Sequence, residues 1–336
     1  MIRLPPVDST FARLLLLLCL CAGCTALPTF GPSPPLPPGL DRSDDTLPLS
    51  DGAPTPARRW LPAGPPRAVV LALHGFNDSR DGWALPGPAL AAAGIALYAP
   101  DQRGFGAAPG RGFWPGHGTL AQDIRAMLAH LRARHPGTPL YAMGESMGAA
   151  LLMTLAAGPD PPALDGWVLL APAVWGRTQQ GILLSSGLWL VSGVAPGLVV
   201  TGGEVRLRVT PSDNRDALLA LARNPLTIRR TRFDSLRGLT DLMDAAQDAA
   251  PKLPPHTLVL YGARDTIVPA PAAQRAWRAM PPGVRRALYP NGYHLLLRDL
   301  GRVLPTGDIA AWITDPDAWL PSGADAAAAG WQAVGR

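Results

Sequence analysis

A doubly wound, mostly parallel α/β sheet with an inserted helical cap is the fold class the sequence predicts, and three observations predict it. Short apolar runs without polar alternation recur along the chain, as strands buried on both faces require. Segments with helical apolar spacing separate them, the pattern of a parallel sheet flanked by helices. After the fourth such run, residues 174–252 interrupt the sheet and read as a helical cap, and strands resume at residue 257.

The apolar runs are Arg67 to His74, Ile95 to Asp101, Leu140 to Met143, Gly166 to Leu170 and Thr257 to Tyr261, and Arg285 to Tyr289 is read as the last strand. Between the second and third, Leu120, Ile124, Met127, Leu128 and Leu131 recur at helical spacing, with Gln122, Asp123, Arg125, Arg132 and Arg134 assigned to the opposite face. In the cap, Asp216 to Arg223 and Leu236 to Ala250 read as amphipathic helices. Gly181 to Ala195 is apolar but broken by glycine and followed by Pro196, which disfavours a spanning helix. Two readings of that segment stand side by side: a hydrophobic cover touching a membrane through Leu188, Trp189 and Leu190, or ordinary packing of cap on core. Boundaries follow: α/β core at 57–173 and 253–320, cap at 174–252, and a frayed tail at 321–336.

Composition supports a large core. Of 336 residues, 47% are hydrophobic and 16% charged, which excludes global disorder. The 39 Pro and 36 Gly show no period, which excludes collagen-like and repeat architectures. A formal charge of +5 is present without any Lys/Arg cluster interleaved with aromatics, so no nucleic-acid partner is expected.

All three cysteines, Cys19, Cys21 and Cys24, fall at the start of the chain. The body can therefore hold neither a disulfide framework nor a cysteine metal site. Arg3 and Arg13, the apolar run Leu14 to Ala22, and Gly23 make residues 1–23 an export signal, too short to span a bilayer. Cys21-Ala22-Gly23-Cys24 resembles the bacterial lipobox, with Cys21 where Leu is usual. That resemblance implies a diacylated Cys24 and a lipoprotein of the bacterial cell envelope, its body periplasmic or surface-facing; plain secretion is the alternative. Residues 24–56 then form a Pro-rich tether, with six prolines between 28 and 38.

Chemistry is sought at the carboxyl ends of the strands, where such sheets place it. The third run continues into Gly144-Glu145-Ser146-Met147-Gly148, and an Ala/Leu-rich helical stretch follows. G-x-S-x-G is weak by itself, since about 0.14 matches are expected by chance in this composition. Its strand-turn-helix setting is what makes it a nucleophile elbow. Serine needs a base to take its proton. Of six histidines, His130 and His135 lie on or just after the amphipathic helix, His256 precedes a strand, and His117 follows no strand. His74 ends a strand but leads into Gly75-Phe76, whose N–H groups suit an oxyanion site. His294 follows the last strand and is the chosen base. Asp265, in the loop after Thr257 to Tyr261, is the carboxylate that would orient it. The order Ser146, Asp265, His294 matches that of α/β-hydrolases.

Across residues ~58–314 the chain resembles the monoglyceride lipase and lysophospholipase branch of the α/β-hydrolases, grouped with serine aminopeptidase-like hydrolases. The resemblance rests on His74-Gly-Phe76, Asp101 to Gly106, Gly144 to Gly148, Gly262 to Asp265 and Gly292 to Asp299, with Ala149 where many relatives have Gly. It implies an oxyanion hole of the Phe76 and Met147 N–H groups, a structural His74, a bracing Arg103, and no cofactor or metal. A lipid-like carboxylic ester is the implied substrate. A short-peptide hydrolase would want an acidic cluster in the cap, where Glu204, Asp213 and Asp216 are available. An acyltransferase on the same triad and a non-catalytic surface lipoprotein complete the alternatives. Oligomeric state is not legible.

Overall fold

The computed structural model describes residues 43–201 and 209–333. The expected signal peptide, Cys24, the proline-dense part of the tether and Glu204 lie outside the described residues.

Among the described residues, eight strands form one sheet, in the order β1-β2-β4-β3-β5-β6-β9-β10. In chain order they are β1 (Asp45–Pro48), β2 (Pro54–Trp60), β3 (Ala68–Leu73), β4 (Ile95–Pro100), β5 (Leu140–Glu145), β6 (Gly166–Leu170), β9 (Thr257–Gly262) and β10 (Arg285–Tyr289). β1 and β2 pair antiparallel, β2 pairs antiparallel with β4, and all remaining pairs are parallel. From β3 the chain moves outward to β4 on one side and returns to β5 on the other, so the winding direction reverses between β3 and β5. Their carboxyl ends flank the crevice such a reversal creates.

Both faces are covered. Helices α1 (Pro86–Ala92) and α9 (Val303–Thr314) lie on one side of the sheet, and α2 (His117–Arg134), α3 (Met147–Ala156) and α8 (Ala270–Ala279) flank the other. Every residue of α3 except Thr154 is buried, which is why its sequence is apolar all round. The apolar positions expected for α2 are buried as a stripe. Asp123 departs from expectation: it is buried rather than solvent-facing, because Arg103 donates to it from Nε at 2.8 Å and the Ser50 hydroxyl at 2.6 Å. A paired and hydrogen-bonded carboxylate can be buried where a lone one cannot.

Between β6 and β9 stands the cap. It comprises α4 (Arg177–Gln180), α5 (Ile182–Val194), a small hairpin of β7 (Val199–Thr201) with β8 (Arg230–Arg232), α6 (Arg215–Arg223) and α7 (Phe233–Ala249). Leu242, Met243, Ala246 and Ala249 of α7 join the core cluster that also holds α3. Among the described residues no helix is long and apolar enough to cross a membrane. Packing on the core does not account for α5: Leu183 is 88% exposed, Ile182 81% and Trp189 61%, with Leu190 exposed as well.

Two boundaries are corrected. The tether was expected to reach residue 56, but the chain enters the sheet at β1. Leu47, Leu49, Thr55 and Ala57 are buried there, and the Thr55 hydroxyl donates to the Asp101 carbonyl at 2.6 Å. Intervening Pro and Asp conceal that alternation in the sequence. The frayed tail is instead helix α10 (Ala324–Ala333), built from the strongest helix-forming residue. Its small side chains let it lie close to the core, with Ala324 and Ala328 buried. Trp331 stacks on Tyr261, ring centroids 5.3 Å apart, and meets Trp277 edge-on at 5.0 Å.

Trp331→Ala should therefore lower unfolding free energy by about 2 kcal/mol, through lost aromatic burial. Urea denaturation followed by circular dichroism checks this; an unchanged midpoint would return the segment to the status of a tail.

Candidate active site

The carboxyl end of β5 forces the geometry of the site. Ser146, between β5 and α3, has φ 54° and ψ −110°, a backbone conformation that costs a non-glycine residue on the order of 1–3 kcal/mol. Hydrogen bonds hold it there: its N–H donates to the Leu170 carbonyl at 2.9 Å, and its carbonyl accepts from Ala150 at 2.9 Å and Ala173 at 3.1 Å. A side chain at Gly144 would collide with the Gly148 and Ala149 backbone, and one at Gly148 with the Leu73 carbonyl. Only glycine serves at both positions, and the half-exposed serine is left at the crest.

The loop after β3 presses on this turn. A Cβ placed on Gly75 would stand 3.4 Å from the Ser146 Cβ, so Phe76 follows immediately beside the nucleophile candidate. Met147 opens α3, and its N–H belongs to the first-turn donors that lack an intrahelical acceptor. His74 is fully buried and structural in its bonding. Its Nδ1 pairs with the Gly75 carbonyl at 2.8 Å, and its Nε2 accepts the Gln102 N–H at 3.1 Å. Asn77, with φ 62°, accepts the Ile228 N–H at 2.9 Å and donates through Nδ2 to the Thr231 hydroxyl at 2.6 Å, which ties this loop to the cap.

The loops after β9 and β10 meet on the other side. A Cβ at Gly262 would strike the Tyr293 carbonyl, and the Arg264 N–H donates to the Gly292 carbonyl at 2.9 Å. That contact brings the His294 Nδ1 to 2.7 Å from the Asp265 Oδ2. The second oxygen, Oδ1, accepts the N–H groups of Ile267 at 2.7 Å and Val268 at 3.0 Å, which fixes the carboxylate. Asp299, a competing acid by proximity in sequence, is engaged elsewhere: it accepts the Ser212 hydroxyl at 2.6 Å and the Tyr293 N–H at 2.7 Å. Burial pushes its pKa up to about 6, against those two hydrogen bonds.

His294 is buried, and burial favours its neutral form. The charge and hydrogen bond of Asp265 and the charge of Glu145 outweigh burial, so its pKa is raised above that of a free imidazole, with Arg298 acting in the opposite direction. The remaining histidines lie outside this cluster. His117 opens α2, His130 is exposed on it, His135 caps it and meets the Tyr98 hydroxyl at 2.9 Å, and His256 stands at the amino end of β9. Arg103 braces Asp51 and Asp123 as expected. Among the described residues no group of three or more His, Cys, Asp or Glu could hold a metal ion. A cavity of about 240 Å³ lies behind the His294 loop, lined by Tyr289, Leu296, Asp299 and Leu304; neither Ser146 nor His294 borders it.

Sequence reasoning missed the buried guanidinium of Arg298, which joins Asp78 and Glu145. The available signal was an acid inside the elbow and an arginine directly after three leucines.

The sequence profile of the family described as serine aminopeptidase, S33, matches residues 64–301. Monoacylglycerol lipase of Mycolicibacterium smegmatis is 25% identical, over 76% of this chain and 90% of that protein. Monoglyceride lipase of Homo sapiens is likewise 25% identical, over 79% and 88%. The crystal structure of monoacylglycerol lipase from Paleococcus ferrophilus superposes with a TM-score of 0.65 at 21% identity, covering 77% of this chain and 98% of the other.

On the expectation that His294 is the base for Ser146, and because only neutral imidazole accepts a proton, the reactivity of Ser146 toward a fluorophosphonate should rise with pH through the titration of His294. The raised pKa places that midpoint above the ordinary imidazole value of about 6.5. Labelling rates across pH measure it, and a midpoint at or below the ordinary value contradicts the geometry described.

Proposed function

The chain belongs to the serine aminopeptidase S33 family and is a hydrolase of the α/β-hydrolase fold, and we propose that it cleaves carboxylic esters of lipid-like substrates such as monoacylglycerols or lysophospholipids. The observation that carries this reading is the 2.7 Å pairing of His294 with Asp265 at the same edge of the sheet as a strained Ser146. The names of the relatives, monoacylglycerol and monoglyceride lipases, support the substrate class.

Asp265 accepts a hydrogen bond from the Nδ1–H of His294, which leaves the lone pair on Nε2 as the basic site. Nε2 removes the Ser146 proton as Oγ attacks the ester carbonyl carbon. The N–H groups of Phe76 and Met147 bind the oxyanion that forms. Collapse expels the alcohol, which leaves with the proton held on His294, and an acyl group remains on Ser146. Water, activated by the same histidine, then releases the fatty acid and restores the serine. No cofactor or metal enters either half.

A peptidase reading needs free acids near the scissile group. Asp213 instead accepts the Leu300 N–H at 2.8 Å, and Asp216 sits in the first turn of α6. Acyl transfer differs only in the nucleophile that resolves the acyl-enzyme, and product analysis separates the two.

Attachment to a membrane is part of the same proposal. A diacylated Cys24 would hold the body near a bilayer, in the periplasm or at the cell surface, and the exposed Ile182, Leu183, Trp189 and Leu190 of α5 would meet it.

Ser146→Ala should abolish hydrolysis of monoacylglycerols and p-nitrophenyl esters together with fluorophosphonate labelling, while the thermal unfolding midpoint is kept. Labelling retained in that variant removes Ser146 from the role. Asp265→Asn should cut kcat by up to about 10⁴-fold, the loss seen when a serine-protease triad loses its acid, with little change in KM. Cys24→Ala should move the protein from the membrane fraction to the soluble one at unchanged specific activity on soluble esters; a wild type that is soluble and unacylated is instead a secreted protein.

A further inference from the structure

One buried cation ties together three of the four loops that carry the site. Arg298 lies four residues after His294, and its side chain is 7% exposed. Its Nη2 donates to the Glu145 Oε2 at 2.6 Å and also to the Asp78 Oδ2. Glu145 is the last residue of β5, directly before Ser146. Asp78 stands two residues after Phe76; its N–H donates to the Gly75 carbonyl at 3.3 Å, and its Oδ1 accepts the Ser79 N–H at 2.8 Å. The arginine backbone is fixed as well, by its N–H to the Leu295 carbonyl at 2.8 Å and its carbonyl to the Asn214 Nδ2 at 2.8 Å. Gly82 makes room for this meeting, since a Cβ there would come within 2.6 Å of Nη2 and 3.1 Å of the Asp78 carboxylate.

Two carboxylates at one buried point are untenable without a cation between them. Of the trio, Glu145 favours the charged form of His294 and Arg298 opposes it.

We propose that Arg298 is a positioning residue for the hydrolytic reaction. It holds the oxyanion loop, the nucleophile elbow and the His294 loop in one register, and together with Glu145 it sets the charge that His294 experiences. The proposal rests on the Ser146–His294–Asp265 reading above. The charged groups acting on His294 are Asp265 from the loop after β9, Glu145 from β5 and Arg298 from its own loop; Asp78 acts through Arg298. Arg298 touches no substrate in this scheme, so its loss should appear in the chemical step.

The test is the pH dependence of kcat and KM on a soluble p-nitrophenyl ester, with fluorophosphonate labelling alongside. Glu145→Gln keeps the shape of the side chain and removes its charge. It should lower the midpoint of the acid limb by about half a pH unit, since a group that favours the imidazolium is lost. Arg298→Met should cut plateau kcat by about 10²-fold with KM held within about twofold, as displacement of reacting groups by an ångström does. Arg298→Lys, which keeps the cation, should recover most of that loss. If Arg298→Met does not fold, the Glu145→Gln midpoint and the Arg298→Lys rate still decide the matter. An unmoved midpoint in Glu145→Gln, a full plateau rate in Arg298→Met, or a rise in KM with kcat held would each overturn the positioning role. A wild type that is not labelled at Ser146 would instead remove the hydrolytic reading on which it rests.

Discussion

The left-handed backbone of Ser146 is the constraint on which the site depends. A serine held at φ 54° is unfavourable by itself, and the fold maintains it by removing the alternatives. Gly144 and Gly148 permit the β3 end, the β5 end and the start of α3 to approach more closely than any side chain would allow. The Leu170, Ala150 and Ala173 backbone groups complete the turn's hydrogen bonds. Behind it, α3, apolar at every position but Thr154, anchors the turn between sheet and cap. The strain is local; the burial that opposes it extends across the core.

Around that turn, the parallel sheet does the positioning. Parallel strands deliver their following loops to one edge, so segments as distant in sequence as Gly75, Ser146, Asp265 and His294 arrive together without a dedicated scaffold. Close approach at Gly262 fixes the Asp265 loop against the His294 loop, and Asn77 fastens the loop of Phe76 to the cap. Charge is arranged with equal economy: the imidazole is buried beside two carboxylates, with the Arg298 cation offsetting part of their field.

Much of this was legible because it is written in local patterns. Unbroken apolar runs locate β3 to β6 and β9, since a strand covered on both faces has no polar side to show. The elbow was legible because its glycines are required by sterics at fixed spacing. Other features needed contacts distant in sequence. β1 and the start of β2 read as tether in the sequence because their prolines and aspartates hide Leu47, Leu49 and Thr55, whose inward positions depend on pairing with β4 through β2. α10 was read as a tail because Ala carries little pattern, and its anchor is one ring, Trp331, received by Tyr261 and Trp277. Asp123 was placed on the solvent face because the sequence does not announce that Arg103 and Ser50 converge on it. Arg298 was overlooked for the same reason, since its partners lie 220 and 153 residues away.

The central claim is that an acyl group passes through Ser146, and the acyl-enzyme itself is the most direct measurement. The wild-type protein is mixed with a slowly hydrolysed p-nitrophenyl ester, quenched in acid within the first turnover, digested and weighed by mass spectrometry. The account requires the peptide containing Ser146 to gain the mass of the acyl group in step with the burst of nitrophenol. A full burst with that peptide unmodified, or with the acyl group on another residue, would contradict it.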